Sequence, residues 1–299
     1  MSYKAGFVAL IGKPNVGKST LLNRMVGHKV SIVSNKPQTT RRRVVGIAQG
    51  DGYQIAFIDT PGIHEPHTRL GKAMVDQARA SLSEADVVVF VADGAHAPGE
   101  VDKQIAKLIA PREGERHTPL LLCLNKMDVL RAEEVVPHVE AYTQLFKTDA
   151  YMLTTATRGD NVESLVQMIV EKLPERAPIY PEDEYTDQSA RFLAAELVRE
   201  KILIATRQEV PHATAVMVDE WDESDPGLTR IRATILVEKS SQRAILLGKG
   251  GQFIKNIGTL ARQEIEEFLG KKIFLELHVS VQEGWRMNPR VLHELEYDG

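Results

Sequence analysis

A chain of 299 residues, 43% hydrophobic and 26% charged, has the composition of a soluble globular protein and is long enough for two domains that each bury a core. Its net charge of −4 argues against wholesale coating of nucleic acid but leaves room for a local basic site, because binding follows the distribution of charge and not its sum. The single cysteine, Cys123, excludes disulfides within the chain and cysteine zinc sites and suits a reducing cytoplasm, and no apolar run approaches the roughly 18 residues of a membrane span.

The first apolar run, Phe7 to Ile11, is too short for a signal-peptide core and leads instead into Gly12-Lys13-Pro14-Asn15-Val16-Gly17-Lys18-Ser19-Thr20. This stretch fits the phosphate-binding pattern G-x-x-x-x-G-K-[ST] residue for residue, with strand, loop and helix in the required order. Its glycines let successive N–H groups curl around a β-phosphate, and the helix N-terminus adds positive potential toward the same anion. Lys18 can bridge β- and γ-phosphate oxygens, and the Ser19 hydroxyl is placed to hold Mg2+. An ordinary strand-turn-helix connection is the plainer reading, and the conjunction of all three elements disfavours it.

A helix from Lys18 to Val26, closed by Gly27, is followed by the aperiodic polar segment Ser31 to Arg43. A long loop beside a phosphate site is a candidate switch, in which a threonine hydroxyl reaches Mg2+ only when a γ-phosphate is present. Thr40 is the first choice and Thr39 the second; a solvated basic loop is the alternative. Val44 to Gln49 and Tyr53 to Ile58 are β-rich runs joined by the hairpin signal Asp51-Gly52. The second run ends in Asp59-Thr60-Pro61-Gly62, where an acid at the end of an apolar strand can orient Mg2+ through its water shell and a glycine N–H can approach the γ-phosphate.

Helical patterning from Leu70 to Ser83, the apolar run Val87 to Asp93, a helix from Glu100 to Ile109 and the run Leu120 to Leu124 continue an alternation that means an α/β sheet, with ligands beyond the carboxyl ends of its strands. Asn125-Lys126-Met127-Asp128 falls at such an end. A carboxylate there accepts from guanine N1–H and from its 2-amino group, an arrangement adenine does not offer. Asn125 can tie this loop to the phosphate loop, and the Lys126 stem can lie over the base. The rival reading makes Asp128 a helix N-cap before Val129. The strand Ala150 to Thr157 ends at Thr155-Ala156, whose backbone N–H can meet guanine O6, and the helix Val162 to Leu173 completes the domain.

Gly12 to Ser19, Thr39-Thr40, Asp59 to Gly62, Asn125 to Asp128 and Thr155-Ala156 together resemble the ordered guanine-nucleotide motifs of the translational and ribosome-associated GTPases. The resemblance implies a nucleotide site formed by Gly12 to Thr20, Asp59 to Ile63, Asn125 to Asp128, Thr155 and Ala156, with Ser19, Thr40 and Asp59 at the metal. Lys18, Asn15, Thr40 and Gly62 are then expected to act in hydrolysis. Ile63 stands where the small signalling GTPases carry a water-orienting glutamine, so hydrolysis should be slow. Asn15 matches a phosphate-loop asparagine that in related GTPases helps hold a potassium ion, which supplies charge in place of an arginine finger.

Leu173 to Glu184 holds three prolines and several charges and reads as an extended linker. A helix from Ser189 to Ala205 and β-rich segments Ala213 to Glu220 and Thr229 to Lys239 follow, with the acidic stretch Asp219 to Asp225 between them expected to be a solvated turn. Gly248-Lys249-Gly250-Gly251 is a G-x-x-G loop between helical turns. Lys239, Arg243, Lys249, Lys255 and Arg262 form a basic strip around it that contains no acid. Two glycines let such a loop press against an RNA backbone. Lys239, Arg243, Gly248 to Gly251 and Lys255 are the expected RNA contacts.

The frame helix, strand, strand, helix, G-x-x-G, helix, strand (Lys272 to Val281) resembles the KH domain in its second topology. The whole chain then resembles the Era family of bacterial ribosome-associated GTPases: an α/β P-loop domain with a mixed, mostly parallel sheet at 1–174, a linker at 175–188, and an α+β KH domain with a C-terminal extension at 189–299. The resemblance implies GTP and GDP as ligands and binding near the 3′ end of small-subunit ribosomal RNA in 30S subunit maturation. It also implies a cytoplasmic monomer with peripheral contact to the inner membrane. The competing expectation is an RNA-binding assembly scaffold in which guanine nucleotide is mainly structural; a P-loop kinase of small metabolites is disfavoured by Asn125 to Asp128.

Overall fold

Strongly apolar strands separated by amphipathic helices build a six-stranded sheet in the computed structural model, which describes residues 2–63, 68–110, 118–207 and 209–297. The chain divides into two compact units: Met1–Ser31, Thr40–His67 and Gly71–Asp187 form the first, and Ile32–Thr39, Thr68–Leu70 and Gln188–Gly299 the second.

The first unit is built from β1 (Lys4–Ile11), α1 (Lys18–Val26), β2 (Val44–Gly50), β3 (Tyr53–Asp59), α2 (Arg69–Glu84), β4 (Val87–Asp93), α3 (Glu100–Ile109), β5 (Leu120–Asn125), α4 (Ala132–Phe146), β6 (Ala150–Leu153) and α5 (Val162–Lys172). The first two residues of α2 count with the second unit. Strand order is β2-β3-β1-β4-β5-β6, parallel throughout except for the antiparallel β2–β3 hairpin. The carboxyl ends of β1, β3, β4, β5 and β6 therefore lie along one edge, where all the nucleotide motifs fall. One core cluster joins Ile11, Phe90, Ile105, Leu122, Tyr142 and Phe146, with the Phe90 and Phe146 rings stacked at 3.9 Å.

The proline-rich segment after α5 is extended but pinned. The buried Gln54 amide accepts from Ile179 N–H and Tyr180 N–H at 2.7 and 2.9 Å and donates to Tyr180 O at 2.8 Å. Tyr185 O accepts from Ile47 N–H at 2.9 Å, and the Thr186 hydroxyl donates to Val45 O at 2.7 Å. The segment thus covers the otherwise open edge of β2.

The second unit holds α6 (Ala190–Ala205), α7 (Val210–Ala213), β7 (Ala215–Asp225), β8 (Leu228–Val237), α8 (Ser240–Leu247), α9 (Gln252–Leu269), β9 (Lys272–Val281) and α10 (Pro289–Glu294). Its sheet runs β7-β8-β9, antiparallel then parallel, over a core that includes Leu197, Val198, Ile231, Ile235, Ile257 and Ile265. The acidic stretch 219–225 is not the expected turn: it is the outer half of β7, and only Pro226-Gly227 separate it from β8. Glu220 pairs with Arg232 at 2.8 Å, Asp219 accepts from the Thr234 hydroxyl at 2.8 Å, and Glu223 pairs with Lys271. Opposite charges across the ribbon, with Trp221 packed on the core, hold a strand whose exposed acids suggest a loop.

Candidate functional site

The phosphate loop is set by close backbone approach. Gly17 has φ +100, and a Cβ there would lie 2.2 Å from the Asn125 Nδ2 atom, so only glycine lets the strand-end asparagine reach the loop. Asn125 uses its whole amide: Nδ2 donates to Val16 O at 2.9 Å, and Oδ1 accepts from the Thr154 hydroxyl at 3.2 Å and from Ala156 N–H at 2.9 Å. The expected clasp between the phosphate and base loops therefore exists. It engages the Ala156 N–H that was expected to face the base; Thr155 N–H is turned to Asp160 O at 3.2 Å.

Lys18 is buried on the loop it serves, donating to Gly12 O at 3.1 Å and Lys13 O at 2.9 Å. Burial lowers its pKa to about 8, against the opposing pull of the Asp59 carboxylate. Asn15 is exposed at φ 64, Val16 is buried, Thr20 is half-buried in the first turn of α1, and Lys13 turns aside to Asp102.

Asp59, wholly buried at the end of β3, gathers the hydroxyls of three separate segments. Its Oδ2 accepts from Ser19 at 2.7 Å, Ser31 at 3.0 Å and Thr40 at 3.3 Å, and the Ser19 and Thr40 hydroxyls are 2.9 Å apart. Burial pushes the Asp59 carboxyl upward, opposed by Lys18 and by these three hydroxyls. The buried Oδ1 has no hydrogen-bond partner among the described residues. A buried carboxylate with an unsatisfied oxygen, beside two hydroxyl oxygens, is a donor set suited to a hard divalent cation.

Thr40 and Thr39 part company here. Thr40 faces Asp59, whereas the Thr39 hydroxyl bonds Ser34 Oγ and Lys36 O, both at 2.7 Å. Ser31 was not among the expected site residues; it lies far from Asp59 in sequence, and only its small hydroxyl hinted at a role.

The turn after Asp59 is tight against the phosphate loop. The Thr60 hydroxyl donates to Leu10 O at 2.8 Å, so its side chain ties β3 to β1. A Cβ on Gly62 would come within 2.6 Å of Pro14 N, and Ile63 N–H donates to Gly12 O at 3.2 Å. The Ile63 side chain is buried in the core cluster, so it offers nothing to an attacking water.

Lys126 adopts a left-handed φ of 64, with its Nζ 2.8 Å from Asp93. Asp128 is exposed within the short turn Met127–Val129, while α4 begins at Ala132 with Arg131 as its N-cap residue; the capping role for Asp128 is thereby removed. Cys123 is fully buried, accepts or donates to the Thr154 hydroxyl at 3.2 Å, and has its thiol pushed up to about 12 by burial, so it is chemically inert.

In the second unit, Gly248 to Gly251 join α8 to α9, and Lys239, Lys249 and Lys255 are exposed. Arg243 donates through Nε to Val279 O at 3.1 Å. A groove of about 440 Å³ runs between α9 and the edge strand β9, lined by Ile254, Lys255, Gly258 and Arg262 on one side and Phe274, Leu275 and Leu277 on the other. Of the expected RNA contacts only Lys255 lines it. Phe274, half exposed beneath the Arg230 guanidinium at 6.0 Å, was missed by reading charge alone.

Comparison with known proteins follows the same two-part division. Residues 7–126 match the family described as 50S ribosome-binding GTPase, and residues 209–286 match the KH domain family. The chain is 43% identical to GTPase Era of Heliobacterium modesticaldum over 99% of its own length and 97% of the relative's. It is 45% identical to GTPase Era of Geobacter metallireducens over 99% of itself and 98% of that protein. This chain belongs to the Era family of GTPases. Among solved structures, Era in complex with MgGDPNP and nucleotides 1506–1542 of 16S ribosomal RNA is 40% identical, with a TM-score of 0.94 over 99% of both chains. An Aquifex aeolicus Era variant bound to GDP and AlF4− is 41% identical, with a TM-score of 0.93 over 98% of this chain and 99% of that one. The Era-family fold therefore extends through both units.

Proposed function

We propose that this chain is a Mg2+-dependent GTP-hydrolysing switch that binds small-subunit ribosomal RNA near its 3′ end and acts in 30S subunit maturation. The observation that carries the nucleotide half is the convergence of Ser19, Thr40 and Asp59 beside a phosphate loop clasped by Asn125. The solved relative with MgGDPNP and 16S ribosomal RNA supports both ligands.

In this reading Lys18 leaves the loop carbonyls for β- and γ-phosphate oxygens, whose negative charge restores its proton affinity. Ser19, Thr40 and Asp59 hold Mg2+, which when bound neutralises charge on the phosphates. The Gly62 N–H faces the γ-phosphate, and Asp128 accepts from the guanine edge. With Ile63 buried, no side chain from that position orients water, and turnover is slow. Asn15 helps hold K+ near the phosphates. Asn15→Ala accordingly lowers the hydrolysis rate in K+ roughly tenfold, to the rate seen in Na+. A variant that keeps the wild-type preference for K+ over Na+ removes Asn15 from this role.

The RNA half rests on the groove of α9 and β9, with Lys255 and Arg262 for phosphates, Phe274 for stacking, and the G-x-x-G loop at its approach. Coupling is supported by the switch loop itself, since the unit boundary falls inside it: Ile32–Thr39 counts with the second unit and Thr40 with the first. Within the second unit, Val33 N–H donates to Glu200 at 2.7 Å, and Thr39 O accepts from the buried Arg199. An RNA oligonucleotide from the 16S 3′ region is expected to bind about tenfold tighter with a non-hydrolysable GTP analogue than with GDP. Equal affinities would favour the scaffold reading. The protein is further read as a cytoplasmic monomer with peripheral membrane contact; among the described residues no helix is long and apolar enough to cross a membrane.

A further inference from the structure

Two lysines of the nucleotide loops, one in each, end on acids that bracket a single short connection. Lys13, the second residue of the phosphate loop, places Nζ 2.7 Å from Asp102 Oδ2 in the first turn of α3. Lys126, in the base loop, places Nζ 2.8 Å from Asp93 Oδ2 at the end of β4. Asp93 closes β4 and Asp102 lies in the first turn of α3, on either side of the connection at residues 94–99, and neither belongs to a nucleotide motif.

The connection is itself fixed at both ends. Asp102 Oδ2 also accepts from Gly99 N–H at 2.8 Å, and Asp93 Oδ1 accepts from Ala95 N–H at 3.2 Å. Gly94 N–H donates to Asn125 O at 2.7 Å, and Gly94 O lies 2.8 Å from His138 Nδ1.

We infer that Asp93 and Asp102 are positioning residues that brace the base loop and the phosphate loop from one short connection, so that both halves of a guanine nucleotide meet a preorganised site. The inference rests on the proposed nucleotide site. Two physical facts require such a brace. Asp102 is completely inaccessible, with Oδ1 lacking a hydrogen-bond partner among the described residues, and Lys13 pairs its cation with this buried charge. Lys126 holds a left-handed backbone conformation that a lysine rarely adopts, and its side-chain tether to Asp93 stabilises it.

The anchor acts on the groups that meet phosphate. Lys13 O is one of the two carbonyls that receive Lys18 in this structure. Fixing the Lys13 side chain sets the direction of that carbonyl and of the loop N–H groups beyond it. On the other side, the Lys126 tether sets where Asp128 sits two residues later.

Binding of a fluorescent non-hydrolysable GTP analogue and of its inosine counterpart, which lacks the 2-amino group, tests the brace in the full chain. Asp102→Asn, which keeps an acceptor for Gly99 N–H, and Lys13→Met are each expected to weaken the GTP analogue about tenfold with the guanine-to-inosine ratio unchanged. The double variant is expected to bind no worse than the weaker single one, and Lys13→Arg to restore most of the affinity. Asp93→Asn is expected to lower the guanine-to-inosine ratio severalfold. Losses that multiply in the double variant, or wild-type affinity in Asp102→Asn, overturn the phosphate-loop half. So does Lys13→Arg binding as poorly as Lys13→Met. A wild-type ratio in Asp93→Asn overturns the base-loop half. Wild-type protein that binds neither nucleotide overturns the site and the brace together, whereas strong wild-type binding with indifferent variants overturns the brace alone.

Discussion

Asp128→Asn is expected to lower GTP affinity by roughly a hundred- to a thousand-fold and to raise XTP affinity toward the wild-type value for GTP. In the proposed site the carboxylate offers two acceptors to the guanine edge, one for N1–H and one for the 2-amino group. An asparagine keeps one acceptor and turns the other into a donor, which opposes the 2-amino group of guanine but suits the 2-oxo group of xanthine. The surrounding loop should survive the change, because other residues hold it. Met127 N–H donates to Thr154 O at 3.2 Å, Lys126 is tethered to Asp93, and Asn125 clasps the phosphate loop. Asp128 is exposed and caps no helix, so its replacement costs little stability. Competition binding with GTP and XTP measures the exchange; unchanged GTP affinity refutes the base assignment.

The nucleotide motifs were legible because each is a run of adjacent residues at a strand end, where chemistry and chain position coincide. Ser19, Asp59 and Asn125 could be singled out from pattern alone for that reason, and the structure bonds Ser19 to Asp59 and Asn125 to the phosphate loop. Ser31, Asp93 and Asp102 could not, since each bonds a partner far away in sequence and carries no local signature. The outer half of β7 was misread for a different reason. Exposed apart from Trp221, it shows no alternation of apolar and polar residues, and the basic partners that hold it lie on β8 and just before β9. The segment after α5 was legible as extended from its prolines, but the Gln49 and Gln54 amides that pin it sit on the preceding hairpin. Helix α4 carries Pro137 inside it, which obscures a helix to any reading that treats proline as a break. The groove proposed for RNA was half legible: the basic residues mark one wall, while Phe274 and Leu277 look like ordinary strand residues until β9 proves to be the edge.

Lys249→Asp combined with Gly250→Asp is expected to lower RNA affinity at least about a hundredfold while leaving GTP affinity and the fold intact. The choice of positions comes from the backbone. Gly248 has φ +68, and a Cβ there would lie 2.6 Å from the Phe253 Cβ, so substituting it disturbs the packing of α9 as well as the loop. Gly250 also has a positive φ, +60, but nothing lies within 4 Å of an added Cβ, and aspartate tolerates the left-handed region better than most residues. Lys249 is exposed beside it. The pair of changes removes a cation and adds two carboxylates at the N-terminus of α9, the point where the helix field and the loop N–H groups favour a phosphate. Because Gly250 meets no neighbour, the cost in stability is the backbone strain of aspartate at positive φ alone, about 1 kcal/mol. RNA binding, nucleotide binding and thermal unfolding measured on the same protein separate the outcomes. Loss of RNA binding alone assigns the loop to the RNA backbone. Loss of nucleotide binding as well means that the variant has misfolded. Retained RNA binding shifts the whole contact into the groove between α9 and β9, where Phe274→Ala becomes the decisive substitution.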